Sequence, residues 1–198
     1  MEYFSEPVCP PIVLASGSPR RADLLRQVGL PFEVLPVGVD EGTSSDGARS
    51  PRAVARRRAL AKAEAARVLR PEGIVVAADT VVACRGRILG KPADRREAEG
   101  MLRLLSARTH TVVTAIAVVH RGELATAVEY AHVAFRRLED AEIRRYAAGA
   151  EPLDKAGGYA VQGAAAAFVR RIEGEYTTVV GLPLCRLSIM LRRFGIRA

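Results

Sequence analysis

Residues 16–21, Ser-Gly-Ser-Pro-Arg-Arg, combine the residue types that bind phosphate at the start of a helix. Ser18 is a typical N-cap residue, and proline suits the first helical position after it. The free N–H groups of a helix N-terminus attract anions. Arg20 and Arg21 would add charge-assisted hydrogen bonds to phosphate oxygens. The segment, including Ser16, therefore predicts a phosphate site, with an ordinary cap followed by solvated arginines as the alternative.

A second candidate is a carboxylate that interrupts the apolar run VVAADTVVAC. Burying Asp79 there without a partner would be costly, so the residue needs a role. It could bind a metal ion, or accept a proton from water as a general base. Thr80 offers a hydroxyl on the opposite face of the same strand. The alternative is an aspartate that makes a structural hydrogen bond at a strand bend.

The following segment, GRILGKP at residues 86–92, is only superficially similar to a Walker A loop. Three residues rather than four separate its glycines, and proline replaces the Ser or Thr that would bind magnesium. No G-x-G-x-x-G sequence is present either. These observations exclude a P-loop protein and a dinucleotide-binding protein.

Lysine is scarce, because only Lys62, Lys91 and Lys155 occur among the 30 basic residues. A lysine retained in an arginine-rich chain suggests a site that needs a compact, hydrated ammonium, with chance as the alternative. Lys155 lies in a third candidate segment, EPLDKAGGYAVQG at 151–163, whose small residues would let backbone approach a ligand. The Gln162 amide could read the edge of a base. Spacing alone does not separate this interpretation from a surface loop.

The three histidines give no catalytic triad, since none has a Ser or Cys arrangement around it. We expect structural roles for His120 and His132. A structural role is also favoured for His110, because a lone histidine is weak support for chemistry.

Composition limits the class of protein further. The hydrophobic fraction of 49% suffices for a packed core, and 198 residues suit a single domain, or two closely joined lobes, spanning 1–198. The net charge of +8 is spread over arginines with few aromatics and no Trp, which argues against nucleic-acid binding. Three scattered cysteines give neither a zinc site nor a disulfide framework. Without a secretory signal or an apolar run near the roughly 20 residues of a membrane span, we expect a cytoplasmic protein with no membrane partner.

Hydrophobic periodicity and turn residues predict an α/β fold with a mixed sheet. Strands are predicted at 12–15, 32–37, 74–83, 87–89, 109–120 and 123–135, followed by a hairpin of 167–172 with 176–180. Helices are predicted at 20–28, 53–69, 94–105, 140–148 and 183–194, with loops at 40–50 and 151–163.

Taken together, the ordered segments LASGSPRRADLLRQVGL, AADTVVACRGRILGKP, RTHTVVTAIAV and EPLDKAGGYAVQG, followed by VVGLPL, resemble the Maf family. The resemblance runs from Ile12 to the last predicted helix. One departure lies at residues 130–135, where the family often has threonines along the strand.

The resemblance implies hydrolysis of nucleoside triphosphates between the α and β phosphates, with a divalent metal, Mg or Mn. It implies a twisted mixed sheet similar to that of the inosine-triphosphate pyrophosphatases, with two lobes around a cleft. Asp79 would activate water, and Arg20, Thr80 and Gln162 match specificity positions. The third segment is similar to the branch that acts on dTTP and UTP.

On the same resemblance, Ser16, Ser18 and Arg21 would hold the triphosphate and Lys91 would neutralise developing charge. Glu41 and Asp79 would hold the metal, and a homodimer is suggested. Lys62 and Lys155 would support the phosphates. Two alternatives stay open: a pyrophosphatase for 7-methyl-GTP or modified nucleotides, and a regulator of septum formation that binds nucleotide without hydrolysing it.

Overall fold

The computed structural model of the chain describes residues 10–39 and 50–197. Within these ranges the strands are β1 Ile12–Leu14, β2 Phe32–Val34, β3 Ile74–Cys84, β4 Arg87–Leu89, β5 Thr109–His120, β6 Glu123–Phe135 and β7 Val169–Gly174. The α-helices are α1 Pro19–Gln27, α2 Pro51–Leu69, α3 Arg95–Leu105, α4 Asp140–Ala147, α5 Tyr176–Val180 and α6 Leu184–Arg192. Short 3-10 helices lie at Glu151–Asp154, Ala156–Gly158 and Ala164–Phe168. The predicted loop at 40–50 falls almost wholly outside the described residues.

The strands form one mixed sheet in the order β2-β1-β3-β5-β6-β7, with β4 paired to β3. β1 is parallel to β2 and β3, while the remaining pairs are antiparallel. The β5–β6 hairpin has the predicted bounds, and its turn residues Arg121 and Gly122 have φ of 48° and 85°. Two positive φ values suit the tight turns whose twist matches that of the paired strands. The predicted α/β fold with a mixed sheet is confirmed.

Strand β3 connects two lobes of the core. In its first half, Val76 contacts the cluster built with α1 and α6, whereas Val75 faces the opposite cluster under α2. Beyond Asp79 and Thr80, Val82 belongs to the core that α3 and α4 build. Successive side chains of a strand alternate between the two faces. The side chains of Asp79 and Thr80 therefore project from opposite faces of β3, at the point where the lobes meet.

Helix α2 lies against the sheet through a row of alanines spaced three or four residues apart: Ala55, Ala59, Ala63 and Ala66, each no more than 1% exposed. These positions share one helix face, and their small side chains let the helix approach the strands closely. Ser50 caps the helix by accepting a hydrogen bond from the Ala53 N–H at 3.2 Å. Asp94 caps α3 in the same way, since its side chain accepts a hydrogen bond from the Glu97 N–H at 2.8 Å.

The predicted hairpin of 167–172 with 176–180 is wrong. β7 pairs with β6 instead, and residues Tyr176–Val180 form helix α5. Their β-branched composition favours a strand, but Thr178 is fully buried against β5 and Thr177 Oγ1 accepts from the Leu184 N–H at 3.0 Å. These tertiary contacts outweigh local propensity. The predicted loop at 151–163 also contains two short 3-10 helices.

Two of the histidines make hydrogen bonds within the fold. His120 Nδ1 lies 3.2 Å from the Gly73 carbonyl oxygen, and His132 Nδ1 lies 3.2 Å from Thr111 Oγ1. Cys84 is buried and Cys185 is exposed, and both are free thiols. A search of the described helices for a long apolar one able to cross a bilayer finds none.

Candidate active site

A cleft of about 430 Å³ opens at the carboxyl end of β1, between the two lobes. Ligands of open α/β sheets bind in crevices outside the carboxyl ends of the strands, and small-molecule sites have volumes of about 300–1,000 Å³. The cleft is bordered by the β1–α1 turn, the middle of β3, the segment after β4 and the third candidate segment. Distant parts of the sequence therefore meet around one space.

The β1–α1 turn supplies two serines to the cleft. Ser16 is buried, and its hydroxyl accepts hydrogen bonds from the Ser18 N–H at 3.2 Å and from Arg21 Nη1 at 2.9 Å. Ser18 occupies the N-cap position of α1, as predicted, but its side chain makes no capping bond to the helix. Both serines line the cleft. The start of α1, where phosphate was predicted to bind, thus borders the cleft.

Arg21 joins three parts of the site. Its Nε donates to the Gly181 carbonyl oxygen at 2.8 Å, and Nη2 donates to Thr80 Oγ1 at 3.3 Å. Together with the bond to Ser16, these contacts connect α1 with β3 and with the turn after α5. Arg21 lines the cleft, so contact with phosphate remains its predicted role, and the structure adds a positioning role.

Arg20 also lines the cleft but faces the third candidate segment. It is half-buried, and burial lowers the pKa of its guanidinium, while the charges of Asp154, Glu151 and Tyr146 act in the opposite direction. Its surroundings therefore differ from those of Arg21, and the two neighbouring arginines reach different elements. A specificity role for Arg20 remains a prediction.

Asp79 is 5% exposed and lies among cations of helix α2. Its Oδ1 accepts a hydrogen bond from Lys62 Nζ at 2.7 Å, and Arg58 Nη1 lies 4.0 Å from Oδ2. A buried carboxylate needs such compensation, because removing a charge from water is costly. Lys62, predicted to bind phosphate, therefore directly contacts the carboxylate. Asp79, Lys62 and Arg58 all line the cleft.

Arg58 was missed by sequence reasoning, which treated the arginines only as charge spread along the chain. The available signal was helical spacing, because Arg58 and Lys62 are four residues apart and so share a face of α2. The buried alanine row on the neighbouring face determines which face of α2 packs against the sheet.

The two remaining lysines line the cleft from two different segments. Lys91 is exposed, and Lys155 forms an ion pair with Asp154. The Gly157 N–H donates to the Gly90 carbonyl oxygen at 3.0 Å, which ties the two lysine-bearing segments together. Gly157 has φ of 75°, and a Cβ there would come within 3.0 Å of Val82 Cγ1. Glycine thus permits the bend to lie close to β3, while the predicted approach of its backbone to a ligand stays a prediction.

One predicted residue within the described part of the chain does not join the cleft. Gln162 is exposed and is absent from the cleft lining, although its neighbour Val161 lines it. Its role in specificity remains a prediction. Glu41, predicted to bind metal, lies outside the described residues.

Tyr159 lines the cleft and was missed by sequence reasoning, although it lies within the third candidate segment. Its hydroxyl oxygen lies 2.8 Å from His110 Nε2, and the two rings meet edge to face at 5.4 Å between centroids. Burial lowers the pKa of His110 to about 4, so this imidazole is neutral at pH 7. These contacts agree with a structural role for His110, in which the imidazole packs against the Tyr159 ring and bonds to its hydroxyl.

The described residues fit a divalent metal only as part of a complex with phosphate. No group of three or more His, Cys, Asp or Glu side chains able to hold a metal occurs at 10–39 or 50–197. Mg²⁺ usually keeps several waters and binds through one or two carboxylates together with substrate phosphates. Asp79, a carboxylate buried beside a cationic cleft, suits that arrangement.

Fold and site together define an α/β protein with a cleft that is lined by basic side chains around one buried carboxylate. Comparison with known families agrees, because the sequence model of the Maf family, described as Maf-like protein, matches residues 11–194. The chain belongs to the Maf family.

Three relatives cover nearly the whole chain, and each is named dTTP/UTP pyrophosphatase. The protein from Pelotomaculum thermopropionicum is 51% identical over 186 residues, 93% of this chain and 96% of the relative. The protein from Symbiobacterium thermophilum is 50% identical over 184 residues, covering 93% and 94%. The protein from Bacillus anthracis is 44% identical over 185 residues, covering 93% and 96%.

Proposed function

We propose that the chain is a nucleoside triphosphate pyrophosphatase that hydrolyses dTTP and UTP to the nucleoside monophosphate and pyrophosphate. The names of the three relatives support the reaction and the substrates. The observation that carries the proposal is a buried carboxylate in a cleft rich in cations. Among the described residues, the lining contains six basic side chains and two carboxylates: Arg20, Arg21, Arg58, Lys62, Lys91 and Lys155 against Asp79 and Asp154. Such a lining is complementary to a polyanionic triphosphate.

In the proposed reaction, the oxygen of a water molecule bonds to the α-phosphorus while a proton passes from that water to the Asp79 carboxylate. The bond between the α-phosphorus and the oxygen that bridges to the β-phosphorus breaks, and pyrophosphate leaves. Asp79 suits the role of base because it is buried at the cleft, with Lys62 and Arg58 compensating its charge. Lys62 would hold the carboxylate in place rather than bind phosphate alone.

The cationic border supports the leaving group. Negative charge increases on the β-phosphate as the bond breaks, and fixed donors stabilise such charge without having to reorganise. Lys91, which is exposed and lines the cleft, would neutralise charge on the phosphates. The Ser18 hydroxyl would hold the triphosphate together with the positive end of the α1 dipole.

A divalent cation, Mg or Mn, completes the proposal. It would bind with the triphosphate, with Asp79 as a protein ligand and Glu41 as a further candidate. Bound there, it would neutralise phosphate charge and polarise the phosphorus–oxygen bonds. We also propose a cytoplasmic location and a homodimer, the latter checked by the solution mass against 21.3 kDa for one chain.

The test is pyrophosphate release from dTTP, UTP, CTP, GTP and 7-methyl-GTP with Mg²⁺ or Mn²⁺. We expect dTTP and UTP to be the best substrates, and Asp79→Asn to lower kcat on the order of a hundredfold to ten-thousandfold, as for loss of a general base. Asp23→Asn is the matched control, because Asp23 is an exposed carboxylate on α1 that pairs with Arg26 outside the cleft. This control should retain native rates.

Two results would contradict the proposal. If no nucleotide releases pyrophosphate while dTTP still binds, the pyrophosphatase proposal is refuted, and a nucleotide-binding regulator takes its place. If 7-methyl-GTP is turned over faster than dTTP and UTP, the reaction stands and the proposed substrates are wrong.

A further inference from the structure

A chain of three threonines runs from the cleft into the core. Thr80 Oγ1 lies 2.9 Å from Thr114 Oγ1, and Thr114 Oγ1 lies 2.8 Å from the carbonyl oxygen of Thr178. Thr114 and Thr178 are fully buried, whereas Thr80 is partly exposed and lines the cleft. Strands β3 and β5 place Thr80 and Thr114 directly opposite each other in register. The proposed function gives no role to Thr114.

The hydrogen bonds of this chain have a single possible direction. A carbonyl oxygen only accepts, so the one hydroxyl hydrogen of Thr114 must point to Thr178. Thr114 can then only accept from Thr80, and the hydroxyl hydrogen of Thr80 must point to Thr114. Arg21 has only donors and supplies one of them to Thr80 Oγ1 at 3.3 Å.

The direction determines what Thr80 can offer to a ligand. A hydroxyl has one hydrogen and two lone pairs. With its hydrogen directed at Thr114 and one lone pair facing Arg21, Thr80 retains only a lone pair. It therefore presents an acceptor to the cleft and has no donor to give.

We propose that Thr114 is a positioning residue that holds the Thr80 hydroxyl as a hydrogen-bond acceptor, so that the cleft selects nucleobases carrying a ring N–H at that place. This inference rests on the proposed function and deepens it. Uracil and thymine carry an N–H at ring position 3, between two carbonyl oxygens. Cytosine has an unprotonated nitrogen there, which would face the Thr80 lone pair with a second lone pair.

A second residue at a predicted specificity position agrees with this pattern. Arg20, which lines the same cleft, is a donor without an acceptor. Arg20 could donate a hydrogen bond to a carbonyl oxygen of uracil or thymine. That oxygen is next to the ring N–H from which Thr80 would accept. A site built to hydrogen-bond one pattern rejects an analogue that leaves its polar groups unpaired.

The decisive comparison is the ratio of kcat/KM for UTP to that for CTP, measured in the native chain, Thr114→Val and Thr114→Ser. Valine has nearly the shape of threonine but accepts no hydrogen bond, which frees the Thr80 hydrogen to point into the cleft. We expect the UTP-to-CTP ratio to fall about tenfold or more in Thr114→Val, corresponding to the loss of one hydrogen bond. Thr114→Ser keeps the hydroxyl and should keep the ratio.

A purely structural role for Thr114 would slow both substrates by the same factor and leave the ratio unchanged, and that result would overturn the inference. Thermal melting checks that Thr114→Val folds. If it does not, Thr114→Cys, which retains a weak S–H donor and a weak acceptor, takes its place. Thr80→Val, which has no hydroxyl at position 80, is then measured beside it, and the Thr114→Cys ratio should lie between those of the native chain and Thr80→Val. A Thr114→Cys ratio equal to the native one would also overturn the inference. Failure of the native chain to release pyrophosphate from any nucleotide would instead refute the proposed function, before any variant is compared.

Discussion

Replacing Lys62 by methionine removes the cation bonded to the buried Asp79 carboxylate while keeping a long, unbranched side chain. The two side chains are 11% and 6% exposed, and their charged atoms are 2.7 Å apart. Such a pair differs from a surface ion pair, because solvent cannot replace the lost partner. We therefore expect the variant to be less stable as well as less active.

The magnitude follows from the burial of the pair. Breaking a buried ion pair by removing one partner costs about 3–5 kcal/mol. Arg58, at 4.0 Å from the other carboxylate oxygen, remains and compensates part of the charge. We therefore expect a loss of about 3 kcal/mol, which for a chain of this length lowers Tm by roughly 6–12 °C.

The assay is urea unfolding at pH 7, with free energies of unfolding from linear extrapolation. Lys62→Met, Asp79→Asn and the double variant form a cycle. The double variant should be more stable than the sum of the single losses predicts, by about 2 kcal/mol, because it removes both charges together. Arg26→Met is the matched control: its pair with Asp23 is 62% and 68% exposed, and its loss should cost less than about 0.5 kcal/mol.

The reasoning would be refuted if Lys62→Met lost no more stability than Arg26→Met and the cycle were additive. The Lys62–Asp79 pair would then behave as an exposed one. Its proposed role in holding the carboxylate for catalysis would lose its physical basis.

Three further predictions follow from single contacts. Burial lowers the pKa of His110 from its ordinary value of 6.5 to about 4. As pH falls below 6.5, the unfolded chain therefore binds a proton at His110 before the folded chain does. The contribution of the neutral imidazole to stability is full above pH 6.5 and is lost toward pH 4. Between pH 7 and pH 4.5 this loss should be about 2 kcal/mol in urea unfolding, and His110→Gln should lack it. Gly181→Ala should lower both Tm and kcat/KM, because φ is 123° and the added Cβ would lie 3.3 Å from Thr80 Oγ1; native values of both would contradict this. Asp94→Ala should cost about 1 kcal/mol in urea unfolding through loss of the α3 cap, and Asp94→Ser should recover most of it, whereas equal losses would argue against the cap.

The fold could be predicted well wherever local rules and tertiary contacts agree. Both strands of the β5–β6 hairpin have the predicted bounds, with a turn at Arg121 and Gly122 between them. The rules failed at Tyr176–Val180, where β-branched residues favour a strand but burial of Thr178 beside β5 requires a short helix.

The site shows the same division. Motif order singled out Ser16, Arg20, Asp79, Thr80 and Lys91, and the structure brings all of them to one cleft. Arg58 and Thr114 escaped notice because the first lies in a run of arginines and the second in an apolar strand. Tyr159 was overlooked within the third candidate segment. Gln162 was singled out in the same way, yet it lies outside the cleft lining.

What the sequence determined by itself was local: caps, turns, the alternation of strands, and the unusual aspartate in an apolar run. Those features depend on residues a few positions apart, where backbone geometry fixes which side chains are neighbours. Only the tertiary structure decided which face of β3 carries Asp79, and that helix α2 supplies its partners. It also decided that Arg21 donates to Gly181, 160 positions later in the chain. Such contacts are set by how helices and strands pack together to bury their apolar faces, and spacing along the sequence does not encode them directly.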